Sequence, residues 1–125
     1  MTSHIRNAMG AVRPSVYGPP QLLDLLQRAF GAEILERSRD GRAVELRLGD
    51  SMIALSLGEQ FPERAGARGS IKVYVEDADS AYARALDAGA TSIAAPEDKP
   101  YHERAAGVRD VFGNSWWIST YRGEA

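Results

Sequence analysis

Residues 43–57, AVELRLGDSMIALSL, lie against residues 107–121, GVRDVFGNSWWISTY, at a constant offset of 64. Val44 falls on Val108, Leu48 on Phe112, and Gly49-Asp50-Ser51 on Gly113-Asn114-Ser115. FGAEI (30–34) also faces AGATSI (88–93), each closing a predicted helix with Gly-Ala. Two copies of one plan are too few to stack as a solenoid, so they must meet around a common core.

Each copy reads as strand, helix, then three strands. AVRPSVY (11–17) sets Val12, Pro14 and Val16 against Arg13, Ser15 and Tyr17, a strand alternation. Pro14 lacks a ladder donor and belongs at an edge or beside an unpaired side. GPPQLLDLLQRAFGA predicts a helix with Pro19 and Pro20 in its first turn, Leu22, Leu23, Leu26 and Phe30 on one face, and Gly31 at its end. Short strands follow at 33–38, 43–48 and 52–57, with Asp40-Gly41 and Gly49-Asp50 as turns. The second copy offers a strand at 70–76 and a helix at 77–90 with Asp77 as N-cap. A strand at 91–95, a long loop over 96–106 and a two-strand hairpin complete it. The expected class is α+β, βαβββ twice over. A flexible arm (1–10) precedes a single domain (11–125), with module one at 11–60, a Gly/Arg-rich linker at 61–69 and module two at 70–121.

Alternation also separates two sheet faces. Ile71, Val73 and Val75 are apolar, and Ser70, Lys72, Tyr74 and Glu76 lie opposite; Val44, Leu46 and Leu48 stand likewise against Ala43, Glu45 and Arg47. A solvent-facing sheet shows the same pattern. Large aromatics at 17, 74 and 117 favour instead a curved sheet whose polar face lines a cavity.

The composition narrows the chemistry. A formal net charge of −2 lacks the basic excess that nucleic acid requires. No apolar run reaches the roughly 18–20 residues of a membrane span, and MTSHIRNAMG has no apolar signal core. With no cysteine there are no disulfides, thiolate metal sites or cysteine nucleophile, and the cytoplasm is the expected location. His4 and His102 are the whole imidazole supply. No Gly-x-Ser-x-Gly occurs, and GARGS (66–70) opens a strand rather than a helix, so it is no phosphate loop.

YVEDADSAYARALDAGAT (74–91), GVRDVFGNSWWIST (107–120), QRAFGAE, AVELRLGDS and EDKPYHERAAGVRD together resemble the glyoxalase/bleomycin resistance protein/dioxygenase (vicinal oxygen chelate) superfamily. The likeness is strongest to its small bacterial glyoxalase-like branch and covers about residues 11–121. The second segment resembles the family's Asp-Pro-x-Gly-Asn-x-Trp ending, with Val111 where proline is usual. The resemblance implies two βαβββ modules whose curved mixed sheets form half-barrels around a cavity, with helices on the outer face. It also implies a homodimer.

Enzymes of this superfamily hold a divalent metal through His or Glu on four strands, and those positions fall near Ala11, Glu45, Ser70 and Trp117. Of these residues only Glu45 ligates, and one carboxylate does not hold Zn²⁺, Fe²⁺ or Ni²⁺ against water. The expectation is therefore no metal, no cofactor, and a protein that sequesters a small organic, antibiotic-like ligand. The ligand-binding candidates are Arg13, Tyr17, Glu45, Lys72, Tyr74, Tyr101, Arg109 and Trp117, gated by the 96–107 loop. Trp117 reads either as a stacking wall or as filler of a cavity that lost its metal; Trp116 shares parity with Ile118 and reads as core. Glu45 is the best catalytic candidate, or else half of a structural ion pair with Arg13, Lys72 or Arg47. The alternative function is a lyase, isomerase or dioxygenase, using a metal or acid/base chemistry through Glu45 and His102. A third is an interaction module with no small ligand. No partner of nucleic acid or membrane type is expected.

Overall fold

The computed structural model describes residues 4–10, 13–58 and 68–123. Ala11, Val12 and residues 61–67 of the expected linker lie outside the described residues. Module one runs β1 (Ser15–Gly18), α1 (Gln21–Phe30), β2 (Glu33–Arg37), β3 (Ala43–Leu48) and β4 (Ser51–Leu57). Module two runs β5 (Ser70–Tyr74), α2 (Ala78–Asp87), β6 (Thr91–Lys99), β7 (Glu103–Arg109) and β8 (Ser115–Tyr121). Each module forms a mixed four-stranded sheet, ordered β1-β4-β3-β2 and β5-β8-β7-β6. The first strand lies parallel to the last, and the other pairings are antiparallel. The expected βαβββ-βαβββ architecture is the one observed.

The helices form because their apolar residues recur on one face. Leu22, Leu25 and Leu26 of α1 are fully buried, and each contributes about 1.5–3 kcal/mol of burial. Gly31 ends α1 in the left-handed conformation, at φ 70°. On α2, Ala78, Ala81 and Ala85 are buried, and Asp77 caps the first turn by accepting from the Ser80 amide at 3.2 Å. The small alanine face brings α2 close to its sheet and to α1. Arg84 of α2 donates to the Ala29 carbonyl of α1 at 3.1 Å, and Phe30 meets Trp116 with ring centroids 5.7 Å apart. Buried side chains of both modules form one continuous cluster.

Strand pairing corrects the repeat alignment. Tyr17 pairs with Ser56 and Tyr74 with Ser119; Val16 pairs with Leu55 and Val73 with Ile118. Glu45 lies opposite Ala54, and Gly107 opposite Trp117. Ala54 is thus the counterpart of Trp117, and Glu45 of Gly107. The constant offset of 64 had matched Ile53, which faces the core, with Trp117, which does not. The turn that joins β7 to β8 is longer than Gly49-Asp50, so matching the glycines slips the strands, and a one-residue slip exchanges faces.

The expected loop over 96–106 is also corrected. These residues belong to a hairpin, with Lys99 paired to Glu103, Asp98 to Arg104 and Glu97 to Ala105. The turn is Pro100–His102, and His102 adopts a positive φ of 65°. Pro96 suggested a break, but β6 is an edge strand whose register shifts between Ala94 and Glu97, and a missing amide costs nothing there. Among the described residues, the stretch expected to gate the cleft is this hairpin.

Candidate functional site

The β7–β8 turn explains the most family-like segment as architecture. One Asp110 oxygen accepts from the amides of Phe112, Gly113 and Asn114 at 2.9–3.0 Å. The other accepts from Asn114 Nδ2 at 2.9 Å and from the Trp116 indole at 2.8 Å. Asn114 Oδ1 in turn receives the Gly69 amide at 2.7 Å, at the entry to β5. Asp110, Asn114 and Trp116 are buried. A carboxylate that gathers five donors fixes this turn, and its charge has no work left to do in chemistry.

The concave face of module one is largely occupied by the chain itself. Arg13 meets Glu45 at 3.2 Å, both side chains largely buried. The same guanidinium donates to the carbonyls of Gly10 at 2.9 Å and Met9 at 2.7 Å, and to that of Arg6. Gly10 lies against Met52, which points to this face yet is fully buried. Arg6 also pairs with Glu36 of β2. Of the two readings of Glu45, the geometry realises the ion pair with Arg13.

Module two keeps its concave face open. Lys72, Lys99, Tyr101, Trp117 and Ser119, with Ala94, Ala105 and Ala106, line a cleft of about 260 Å³. Trp117 is 38% exposed and donates its indole N–H to Ser70 Oγ at 3.2 Å. Its six-membered ring rests on Gly107: a Cβ there would stand 2.5 Å from Cζ3. Only glycine gives the indole this seat.

Beside the cleft, Glu103 accepts from Lys72 Nζ at 2.8 Å and from the Tyr74 hydroxyl at 2.7 Å. Glu103 is only 7% exposed. The hydrogen bond from Lys72, followed by that from Tyr74, holds its carboxyl below the usual glutamate range, against the opposing effect of burial. The bond to Glu103 raises Lys72 in return. Both groups stay charged at neutral pH. Lys72 Nζ stands 4.9 Å from the Tyr74 ring centre and 5.9 Å from that of Tyr101.

The structure therefore brings together Lys72, Tyr74, Tyr101 and Trp117, and leaves the other candidates elsewhere. Arg13 and Glu45 hold each other on the other sheet. Tyr17 is half-buried on β1, its carbonyl accepting from Asn114 Nδ2 at 3.4 Å. Arg109 ends β7 exposed, opposite Thr91 and Ser115. Arg13, Tyr17 and Glu45 do not line the module-two cleft. His102 sits in the β6–β7 turn and Glu45 on the other module's sheet, so they form no acid/base pair. Glu103, Lys99 and Ser119 were missed. Reading 103–109 as a strand would have placed Glu103, Ala105 and Gly107 on the Trp117 face.

The expected metal positions do not fit a metal. Ala11 lies outside the described residues, Glu45 is held by Arg13, the Ser70 hydroxyl receives the indole, and Trp117 offers no lone pair. Among the described residues no three His, Cys, Asp or Glu side chains converge. None of the helices described is long and apolar enough to cross a membrane.

The glyoxalase/bleomycin resistance protein/dioxygenase superfamily model matches residues 16–118, a span that takes in most of both modules and the Asp110-centred turn. The chain belongs to this superfamily. An uncharacterised protein of Mycobacterium bovis is 30% identical over 107 residues, covering 75% of this chain and 70% of that protein. Its equivalents in Mycobacterium tuberculosis match equally, and the chain spans 63% of their length. Among solved structures, TioX from Micromonospora sp. ML1 is 25% identical, with a TM-score of 0.72 over 91% of this chain and 98% of that one. The fosfomycin resistance protein FosX from Mesorhizobium loti shares the fold, at 20% identity and a TM-score of 0.63, over 88% of this chain and 91% of that one.

Proposed function

We propose that the chain is a metal-free binding protein that sequesters a small organic ligand in the module-two cleft. The observation that carries this reading is the seat of Trp117 on Gly107, which lays an aromatic face along the cleft beside Lys72 and Tyr101. Ligand clefts usually measure about 300–1,000 Å³, so a space of about 260 Å³ suits a compact molecule rather than a large antibiotic. Binding of this kind needs no catalytic group, in keeping with charged side chains already engaged with one another. The proposal includes a homodimer: Tyr74 and Tyr121 border an open groove beside Glu103 that a second copy would cover. It also includes the cytoplasm as location, on the absence of cysteine.

The test joins two measurements. Protein purified without chelators is incubated with Zn²⁺, Ni²⁺, Mn²⁺ and Fe²⁺, dialysed, and assayed for metal by plasma mass spectrometry. A thermal-shift screen of compact aromatic compounds follows, on the wild type and on Trp117→Leu. The expected result is no retained metal, with stabilising compounds whose effect is lost in the variant. Near-stoichiometric metal that survives dialysis would point instead to the superfamily's metal-dependent lyase, isomerase or dioxygenase chemistry.

A further inference from the structure

We infer that the module-two cleft takes a small planar aromatic anion, a carboxylate on one or two fused rings. The inference rests on the proposed function and names the ligand class of the same site. Its first ground is the sign of the lining: two ammonium groups, Lys72 and Lys99, face the cleft, and no carboxylate is among its lining residues. A cationic ligand entering beside Trp117 meets both ammonium groups.

The second ground is how Lys72 is held. Glu103 accepts one of its three N–H groups and, with Tyr74 donating to the other oxygen, fixes the ammonium at the wall. The Tyr74 hydroxyl also hydrogen-bonds this ammonium; with its side chain 44% exposed, Lys72 still offers an N–H that a carboxylate accepts as a charge-assisted hydrogen bond. Lys99 pairs with the exposed Glu97 at 2.5 Å. Each cation is paired with an acid that does not itself line the cleft.

The third ground is shape. Ala94, Ala105 and Ala106 leave depth beside the indole, and Trp117 and Tyr101 supply aromatic surface. Such a lining does not suit a bare inorganic anion, which gains nothing from apolar and aromatic contact. A flat ring stacked near Trp117, with its acid group toward Lys72, meets every element of the lining.

The experiment compares 2-naphthoate, 2-naphthamide and 2-naphthylmethylammonium by isothermal calorimetry. The indole N–H resonances of Trp116 and Trp117 are followed by NMR in the same titrations. Naphthoate is expected to move the Trp117 resonance, to leave that of buried Trp116 in place, and to bind at least about tenfold more tightly than the other two. Lys72→Gln is expected to weaken naphthoate about tenfold or more while leaving naphthamide unchanged, and Lys99→Gln to act in the same direction but less. Amide or ammonium binding as tightly as naphthoate overturns the anionic class while the cleft stands. Equal loss of naphthoate and naphthamide in both lysine variants does the same. If none of the three probes moves the Trp117 resonance, the cleft itself is rejected as the site.

Discussion

The two concave faces are built on one plan and finished differently. In module one Arg13 and Glu45 neutralise each other, and Gly10 lies against Met52. In module two the counterpart of Glu45 is Gly107 and that of Ala54 is Trp117, so an ion pair on one sheet is replaced by an indole on the other. The charged pair of module two moves to Lys72 and Glu103, leaving a cleft beside it. The repeat supplies two similar sheets; Arg13 and Glu45 meet on one, while on the other Trp117, seated on Gly107, borders an open cleft.

The largest expected contrast lies in the two β-turns. Asp110→Ala strips the acceptor from three amides, a side-chain amide and a buried indole, and is expected to cost about 3 kcal/mol or more in urea unfolding. Asp50→Ala in the corresponding turn of module one is exposed and is expected to stay within about 0.5 kcal/mol. Similar losses at both positions would erase the difference between the turns.

Next comes the seat of the indole. Gly107→Val forces Trp117 off the strand, at about 1–3 kcal/mol, and abolishes the binding of any compound the wild type retains. Glu45→Gln keeps an acceptor for Arg13 but removes the charge from a largely buried pair, costs about 1–3 kcal/mol, and leaves cleft binding unchanged. Binding lost in Glu45→Gln but kept in Gly107→Val would move the site to module one.

The smallest expected effect is a pH dependence. Glu103 is lowered, so its stabilising contribution is present above the ordinary glutamate pKa of about 4.3 and is lost as pH falls through its lowered value. Lys72 is raised, so its contribution is full below the ordinary lysine value of about 10.4 and fades as pH rises through its raised one. The melting temperature of Glu103→Gln is therefore expected to fall less than that of the wild type between about pH 5 and pH 3. Parallel curves would remove the Lys72–Glu103 pair from the account of module two.

The modular plan was legible because hydrophobic period and turn residues agree along most of the chain. Val73, Val16 and Ile118 announced the core face, and Trp116 and Trp117 were assigned to opposite faces from parity alone. β6 and β7 were legible only in part: the strand at 91–95 and the hairpin after residue 106 were expected, but 96–106 has few β-branched residues and little alternation, and its pairing depends on an edge that tolerates Pro96. The site suffered accordingly. Lys72, Tyr74, Tyr101 and Trp117 were named as candidates and lie near one another in the structure, but their neighbour Glu103 was hidden inside an expected loop. Arg13 and Glu45 were placed with them because single-strand parity does not say which sheet a polar face belongs to.

Phe30 packs on Trp116, Arg84 reaches the Ala29 carbonyl, and Asn114 reaches that of Tyr17. Each of these contacts joins one module to the other, so neither half owns a complete interior. The repeat is a unit of sequence but not a unit of folding. A calorimetric scan is therefore expected to show one cooperative transition, and a chain cut between the modules yields two halves with exposed leucine or tryptophan faces. Phe30 of α1 thus lies against the strand that carries Trp117 into the cleft, and damage to α1 is expected to reach the cleft's wall.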